Sequence, residues 1–432
     1  MKMSKSMTTT SIAVAVIALI LGAAVGVALA PSLGVQKTVQ VQVPALQGEI
    51  DIGALLPLTG SLASYGQNSQ ASAMLATNDV NAFLQKAGLP FTIKLLVEDT
   101  ETKPDVALQK LQSLAAKGVK LFVGPQTSAE LRQIKSYADS NQLLLVSQSS
   151  TAPDLAIASD FVFRFCPDDN IQGPIGPRLF HSLGISQIIY VHRGDAWGDG
   201  LFRASSQEAQ ALGLTVVSEI RYAPDSKEFS SEAKALDTSV KTLMSSGMSA
   251  DKVGIEIMSF NEAVAFMLAA KDYPGLKQVH WFGSDGTAQL AEMVADQNAA
   301  AYASQLKWVN PIFAPSTNEK YQKVSSYVSQ QLGRTPDCYA YVAYDIVWVL
   351  TLALMQVQKY DGDAVRSVFA DVANNYYGAV GWTKLNAAGD LQSADYWLWI
   401  LATTSSGKYD WMQAGTYSFS TGNFVWNPGF TP

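Results

Sequence analysis

The octapeptide EIDIGALL (Glu49–Leu56) runs directly into Pro57-Leu58-Thr59-Gly60-Ser61, and a helical pattern follows from about Tyr65 to Lys86. A short, mainly apolar run that stops at a Pro- and Gly-containing turn predicts a buried strand. The same alternation then repeats. Phe91–Glu98 predicts a strand, and Lys103–Lys117 a helix with Pro104 in its first turn, where the missing N–H costs nothing. Lys120–Val123 predicts a short strand, Ser128–Asn141 a helix and Leu143–Ser147 a strand. Near-continuous apolar strands separated by amphipathic helices imply a parallel sheet covered on both faces.

The pattern restarts after Phe161–Phe165. Strands are expected at Ile188–His192, Thr215–Ile220, Val253–Met258 and Val279–Phe282, with helices at Gly200–Leu212, Ser230–Ser246 and Glu262–Lys271 between them. Two successive doubly wound α/β units are the simplest architecture. After about Ala301 the chain becomes more helical, with Asn318–Leu332 and Asp337–Lys359 as the strongest helices. The second is apolar enough to suggest a membrane span, but Asp337 and Asp345 lie within it, with three tyrosines in its first turns. It reads as a buried core helix. The tail from Tyr396 is rich in Trp, Tyr and Thr and reads as short strands.

Residues 11–30 form an uncharged apolar run long enough to cross a hydrocarbon core. Lys2 and Lys5 precede it, which places residues 1–10 in the cytoplasm and everything after Pro31 outside. Its length and Pro31 favour an uncleaved anchor; Ala28-Leu29-Ala30 offers the alternative of a cleaved signal segment. Gly22 and Gly26 form a small-xxx-small pair that composition alone accounts for. Residues 31–48 read as a tether.

At 48% hydrophobic and 16% charged residues, the remainder can build large cores. A net charge of −7 with no basic cluster argues against nucleic acid as a partner. Three histidines (His181, His192, His280) and two cysteines offer no metal-ligand spacing, and no cofactor is expected. Cys166 and Cys338 could form a disulfide outside the cell only if the fold brings them together.

In doubly wound sheets, ligands bind beyond the carboxyl ends of the strands. The loops expected there share a chemistry. Thr59–Gly66, Gly124–Ser128 and Ser147–Pro153 are rich in hydroxyls, and two of them meet helix N-termini, where N–H groups favour an anion. Each alone is an ordinary turn or cap. Three on neighbouring strand ends could surround a carboxylate. The second unit carries Gly194–Gly198, Ser259–Asn261 and Gly283–Gly286, which bring aromatic residues and Asp285 opposite them. Apolar walls and a negative group suit an amino acid. No dinucleotide fingerprint, phosphate loop or nucleophile elbow is present, so catalysis is not expected.

Gly53-Ala-Leu-Leu-Pro-Leu-Thr-Gly60 through Tyr65-Gly66, Val123-Gly124-Pro125, Pro153, Asp195-Ala-Trp-Gly198, Gly283-Ser-Asp-Gly286 and Gly381-Trp382 through Gly389-Asp390 together resemble the type I periplasmic binding proteins. Within them the chain is most similar to the receptors of branched-chain amino acid ABC transporters. The resemblance covers roughly residues 48–411. It implies two lobes, 49–165 with 304–378 and 166–303 with 379–432, joined by a three-strand hinge and closing on a ligand. It also implies a membrane permease as partner.

By position, the resemblance gives the ligand carboxylate to Ser128, Ser150 and Thr151, with Tyr65 and Gln126 nearby. Trp197 becomes the facing aromatic and Asp285 the ammonium partner, while Phe260 and Tyr339 line the side chain. Trp197 stands where family members often carry tyrosine, and Gln126 where a smaller or apolar group is usual. A branched-chain or other apolar amino acid is the first expectation; an aromatic amino acid, a short amide or a small acid are alternatives. A ligand-sensing ectodomain is the other role these lobes can serve.

Overall fold

The computed structural model describes residues 46–432, so the expected anchor at 11–30 and all but the last three residues of the tether lie outside the described residues. The first unit contains β1 (Gly48–Leu56), α1 (Ala63–Lys86), β2 (Phe91–Asp99), α2 (Pro104–Ala116), β3 (Leu121–Val123), α3 (Ser128–Ser140), β4 (Leu144–Ser147) and β5 (Val162–Arg164). Its five strands are all parallel, in the order β2-β1-β3-β4-β5. β1 and β3 are interior strands, and helices packed on the sheet bury their faces, which is why those strands read as apolar runs.

Two short helices follow, α4 (Asp169–Gln172) and α5 (Ile175–Ser182). The second unit comprises β6 (Gln187–Arg193), α6 (Ala196–Ala211), β7 (Thr215–Tyr222), α7 (Ser230–Ser245), β8 (Val253–Met258), α8 (Glu262–Ala270) and β9 (His280–Phe282). Its parallel order is β7-β6-β8-β9. Beyond it lie α9 (Ala291–Ala295), α10 (Gln297–Gln305), β10 (Asn310–Phe313), α11 (Glu319–Leu332), α12 (Cys338–Val357) and α13 (Gly362–Asn374). The chain ends in β11 (Tyr396–Thr403), β12 (Tyr409–Tyr417) and β13 (Phe424–Trp426), which with β10 form a separate four-stranded antiparallel sheet.

Both parallel sheets are extended at one edge by returning chain. Arg164 of β5 bridges to Asp390, and Phe282 of β9 bridges to Val309. At the first of these joints Arg164, fully buried, makes a bidentate pair with Asp390, both bonds 2.5 Å long.

α12 is the apolar helix expected at 337–359. It packs along α1 inside the protein, with most of its residues buried, so its hydropathy reflects the core and not a membrane. Asp345 explains its own presence there: its carboxylate accepts from Ala379 N at 2.7 Å, Val380 N at 2.9 Å and Tyr376 OH at 3.3 Å. A Cβ on Gly378 would strike that carboxylate, so the turn that it anchors requires glycine. Cys166 and Cys338 are both buried free thiols, and Cys166 Sγ points at Ser150 O, 3.4 Å away. The disulfide is therefore not formed.

Candidate functional site

The carboxyl ends of β1, β3 and β4 meet over the N-termini of α1 and α3. Gly66 lets the first turn of α1 pass against Pro57, since a Cβ there would collide with the Pro57 carbonyl. This close approach sends Tyr65 across to the second unit, where its hydroxyl donates to Asp285 O at 2.9 Å and bonds Ala288 O. After β3, Gly124 adopts φ +100°, and any side chain there would meet Leu55 O. The turn delivers Thr127 as N-cap of α3 in a capping box with Glu130, Thr127 N to Glu130 Oε2 at 2.9 Å and Glu130 N to Thr127 Oγ1 at 3.2 Å.

Ser128 opens α3. Its Oγ accepts from Ser150 Oγ at 3.2 Å and from Thr151 N and Ala152 N at 3.1 Å each. An oxygen already facing three donors has only its own hydrogen left to offer, and that hydrogen has no acceptor among the described residues. Placed at a helix N-terminus, it is a donor suited to an anion. Ser150 is thus spent in holding Ser128. Thr151 behaves differently again: its hydroxyl donates to Asp169 Oδ2 at 3.0 Å, which leaves its oxygen able only to accept.

The second unit supplies the opposite wall. α6 begins at Ala196, four residues before the sequence pattern places it, because Asp195 caps it by accepting from Trp197 N at 3.1 Å and Gly198 N at 2.9 Å. Trp197 therefore sits in a rigid first turn and stacks on Phe260, with centroids 4.7 Å apart. Arg193 backs Phe260 at 4.1 Å and is neutralised by Asp195 and Glu262. Asp285 is 4% exposed; its Oδ2 accepts from Tyr339 OH at 2.5 Å and its Oδ1 from Gln172 Nε2 at 2.8 Å.

Two buried carboxyl groups, Asp285 and Asp169, therefore stand close together, with no cation bonded to either among the described residues. Burial pushes the Asp285 carboxyl above its ordinary range, while Tyr339 and Gln172 pull it back. Asp169 is driven well above the carboxylate range by burial first and by the charge of Asp285 second, and its Oδ1 has no partner. Burial and the nearby Asp285 charge likewise push the Tyr339 hydroxyl well up.

These walls line a narrow pocket of about 20 Å³, room for little more than one water molecule. Seven of the nine expected residues line it: Tyr65, Gln126, Ser128, Trp197, Phe260, Asp285 and Tyr339. Ser150 and Thr151 do not; they lie one layer back, bonded to Ser128 and Asp169. Leu62, Thr127, Ser149 and Gly286 line it as well, and no lysine or arginine does among the described residues. Asp169 and Gln172 escaped the sequence reading because a four-residue helix leaves no periodic signal.

An α/β protein with two parallel sheets and a polar pocket at their carboxyl ends has the arrangement in which doubly wound proteins bind ligands. The model of the periplasmic binding protein family matches residues 49–398, and the chain belongs to that family. An uncharacterized protein of Methanocaldococcus jannaschii is 30% identical over 419 residues, 93% of this chain and 97% of its own length. Among solved structures, a leucine-binding protein from Thermotoga maritima superposes with a TM-score of 0.68 at 18% identity, covering 84% of this chain and 97% of its own. An ABC-transporter solute-binding protein from R. palustris, in complex with benzoate, also reaches 0.68, at 16% identity and covering 88% and 98%.

Proposed function

We propose that this chain is the solute-binding component of an ABC importer, capturing a small α-amino acid and delivering it to a membrane permease. The ligand lies between two lobes, 49–165 with 304–378 and 166–303 with 379–432, and residues 11–30 anchor the protein with those lobes outside the cell. One observation carries the reading: the cavity is polarised. Ser128 offers a hydroxyl proton beside the N-terminus of α3, and the far side offers Asp285 with Asp169 behind Thr151. A zwitterion matches that polarity, its carboxylate at Ser128 and its ammonium at Asp285.

The leucine-binding relative supports an amino acid, and the benzoate-bound one raises a second reading, an aromatic acid on the Trp197–Phe260 wall. Two buried carboxylates without a counter-cation disfavour a ligand that is only an anion. A thermal-shift screen separates the two, because a ligand that binds only the folded state stabilises it by about 2.7 kcal/mol at a hundredfold excess over Kd. At least one neutral L-amino acid should raise the melting temperature by several degrees while benzoate leaves it unchanged. Stabilisation by benzoate with none by any amino acid would contradict the proposal.

A further inference from the structure

Gln126 is fully buried and lines the cavity, yet its side chain is only half satisfied. Its Oε1 accepts from Gln148 Nε2 at 2.6 Å, which fixes the amide on the end of the neighbouring strand. Its Nε2 has no partner, and neither has Gln148 Oε1, also fully buried. A buried amide hydrogen without an acceptor is expensive in a folded protein, and so marks a place where a ligand atom completes the bond. Leu62, Trp197 and Phe260 line the same cavity, and of their side chains only the Trp197 indole N–H is polar, a donor and not an acceptor for the Gln126 amide.

We infer that Gln126 selects the ligand's side chain, and that the ligand is a neutral amino acid whose side chain ends in a carboxamide. The inference rests on the amino-acid reading above and deepens it. The carboxylate end of the ligand is provided for at Ser128, so the Gln126 amide is free to meet a second polar group. Exchanging oxygen and nitrogen in both glutamines would preserve the Gln126–Gln148 bond and leave an acceptor in place of a donor on Gln126; a carboxamide matches either polarity. A side-chain carboxylate meets the same donor, but it would add negative charge to a buried pocket that already holds Asp285 and has no cation lining it among the described residues. A branched aliphatic chain fills the space and leaves the amide unmatched. Sites built to hydrogen-bond one group discriminate strongly against the analogue that lacks it.

Calorimetric titration of the full-length protein with L-glutamine, L-asparagine, L-leucine and L-glutamate tests this, repeated on Gln126→Leu. The wild type should bind glutamine or asparagine at least tenfold tighter than leucine or glutamate. Gln126→Leu should lose at least tenfold for the carboxamides, hold or gain for leucine, and keep the wild-type melting temperature within a few degrees. Should the variant prove unstable, Gln126→Met must give the same reversal. Tight leucine binding by the wild type without carboxamide binding would overturn the inference and leave the amino-acid reading intact. An equal loss for leucine and glutamine in the variant would also overturn it, placing Gln126 on the common carboxylate. Absence of binding by every amino acid would remove both.

Discussion

Asp285 receives two hydrogen bonds, from Tyr339 and Gln172, and neither donor carries a charge. A ligand ammonium would complete what these neutral donors cannot. Hydrogen bonds to charged groups contribute about 1.5–3 kcal/mol each, and about 1.4 kcal/mol is a decade in affinity. Asp285→Ala should therefore weaken amino-acid binding by roughly tenfold or more in calorimetry, and Trp197→Ala should do so comparably through lost apolar contact. Unchanged affinity in Asp285→Ala beside an impaired Trp197→Ala would remove the ammonium role. Residue types at strand ends were legible because the chemistry of a loop is local. Which hydroxyl faces the ligand was not, since Ser128, Ser150 and Thr151 differ only in what stands behind them. Asp169, 18 residues further on, decides the direction of the Thr151 proton, and no spacing rule reveals that.

Among the elements, β8 shows how a strand can look wholly apolar and still hold a charge-bearing group. Glu256 lies mid-strand at 2% exposure, with Ser205 Oγ at 2.7 Å. Burial pushes its carboxyl up to about 8, opposed by that one hydrogen bond. The folded chain thus keeps a proton that the unfolded chain releases at about 4.3. Between those values the native state binds more protons, so stability falls as pH rises from about 4.3 to about 8 and then levels off. At pH 7 the cost is on the order of 3 kcal/mol. Glu256→Gln should raise the melting temperature at pH 7 and flatten part of this decline, leaving the same-signed effects of the other buried carboxyls, among them Asp169 and also Asp337 and Asp345, the last two each pushed by burial to about 6. Melting curves from pH 5 to 8.5 check it; a Glu256→Gln protein less stable at every pH, with the wild-type slope, would refute it. The βα alternation that places β8 was readable from periodicity. The antiparallel sheet was not, because β10 is four residues long and pairs with β11 more than 80 residues later.

At the scale of the whole molecule, the cavity is shut. Its accessible space, about 20 Å³, is far below the range of about 300–1,000 Å³ usual for ligand sites, and contacts bridge the two units above it. Ser64 donates to Glu292 through N at 3.3 Å and Oγ at 2.7 Å, and Tyr65 reaches the carbonyls of Asp285 and Ala288. Leu62 gives α1 no side-chain cap of its own, so the Glu292 carboxylate supplies negative charge at that helix N-terminus from the opposite unit. In the two-lobe reading proposed above, ligand entry requires these contacts to part, with hinge motion at the returning segments that bridge to Arg164 and Phe282. Small-angle X-ray scattering of the purified protein, with and without a saturating amino acid that stabilises it, tests this trap directly. Bound ligand should shift the ensemble to the closed form and lower the radius of gyration; identical scattering at saturation would contradict it.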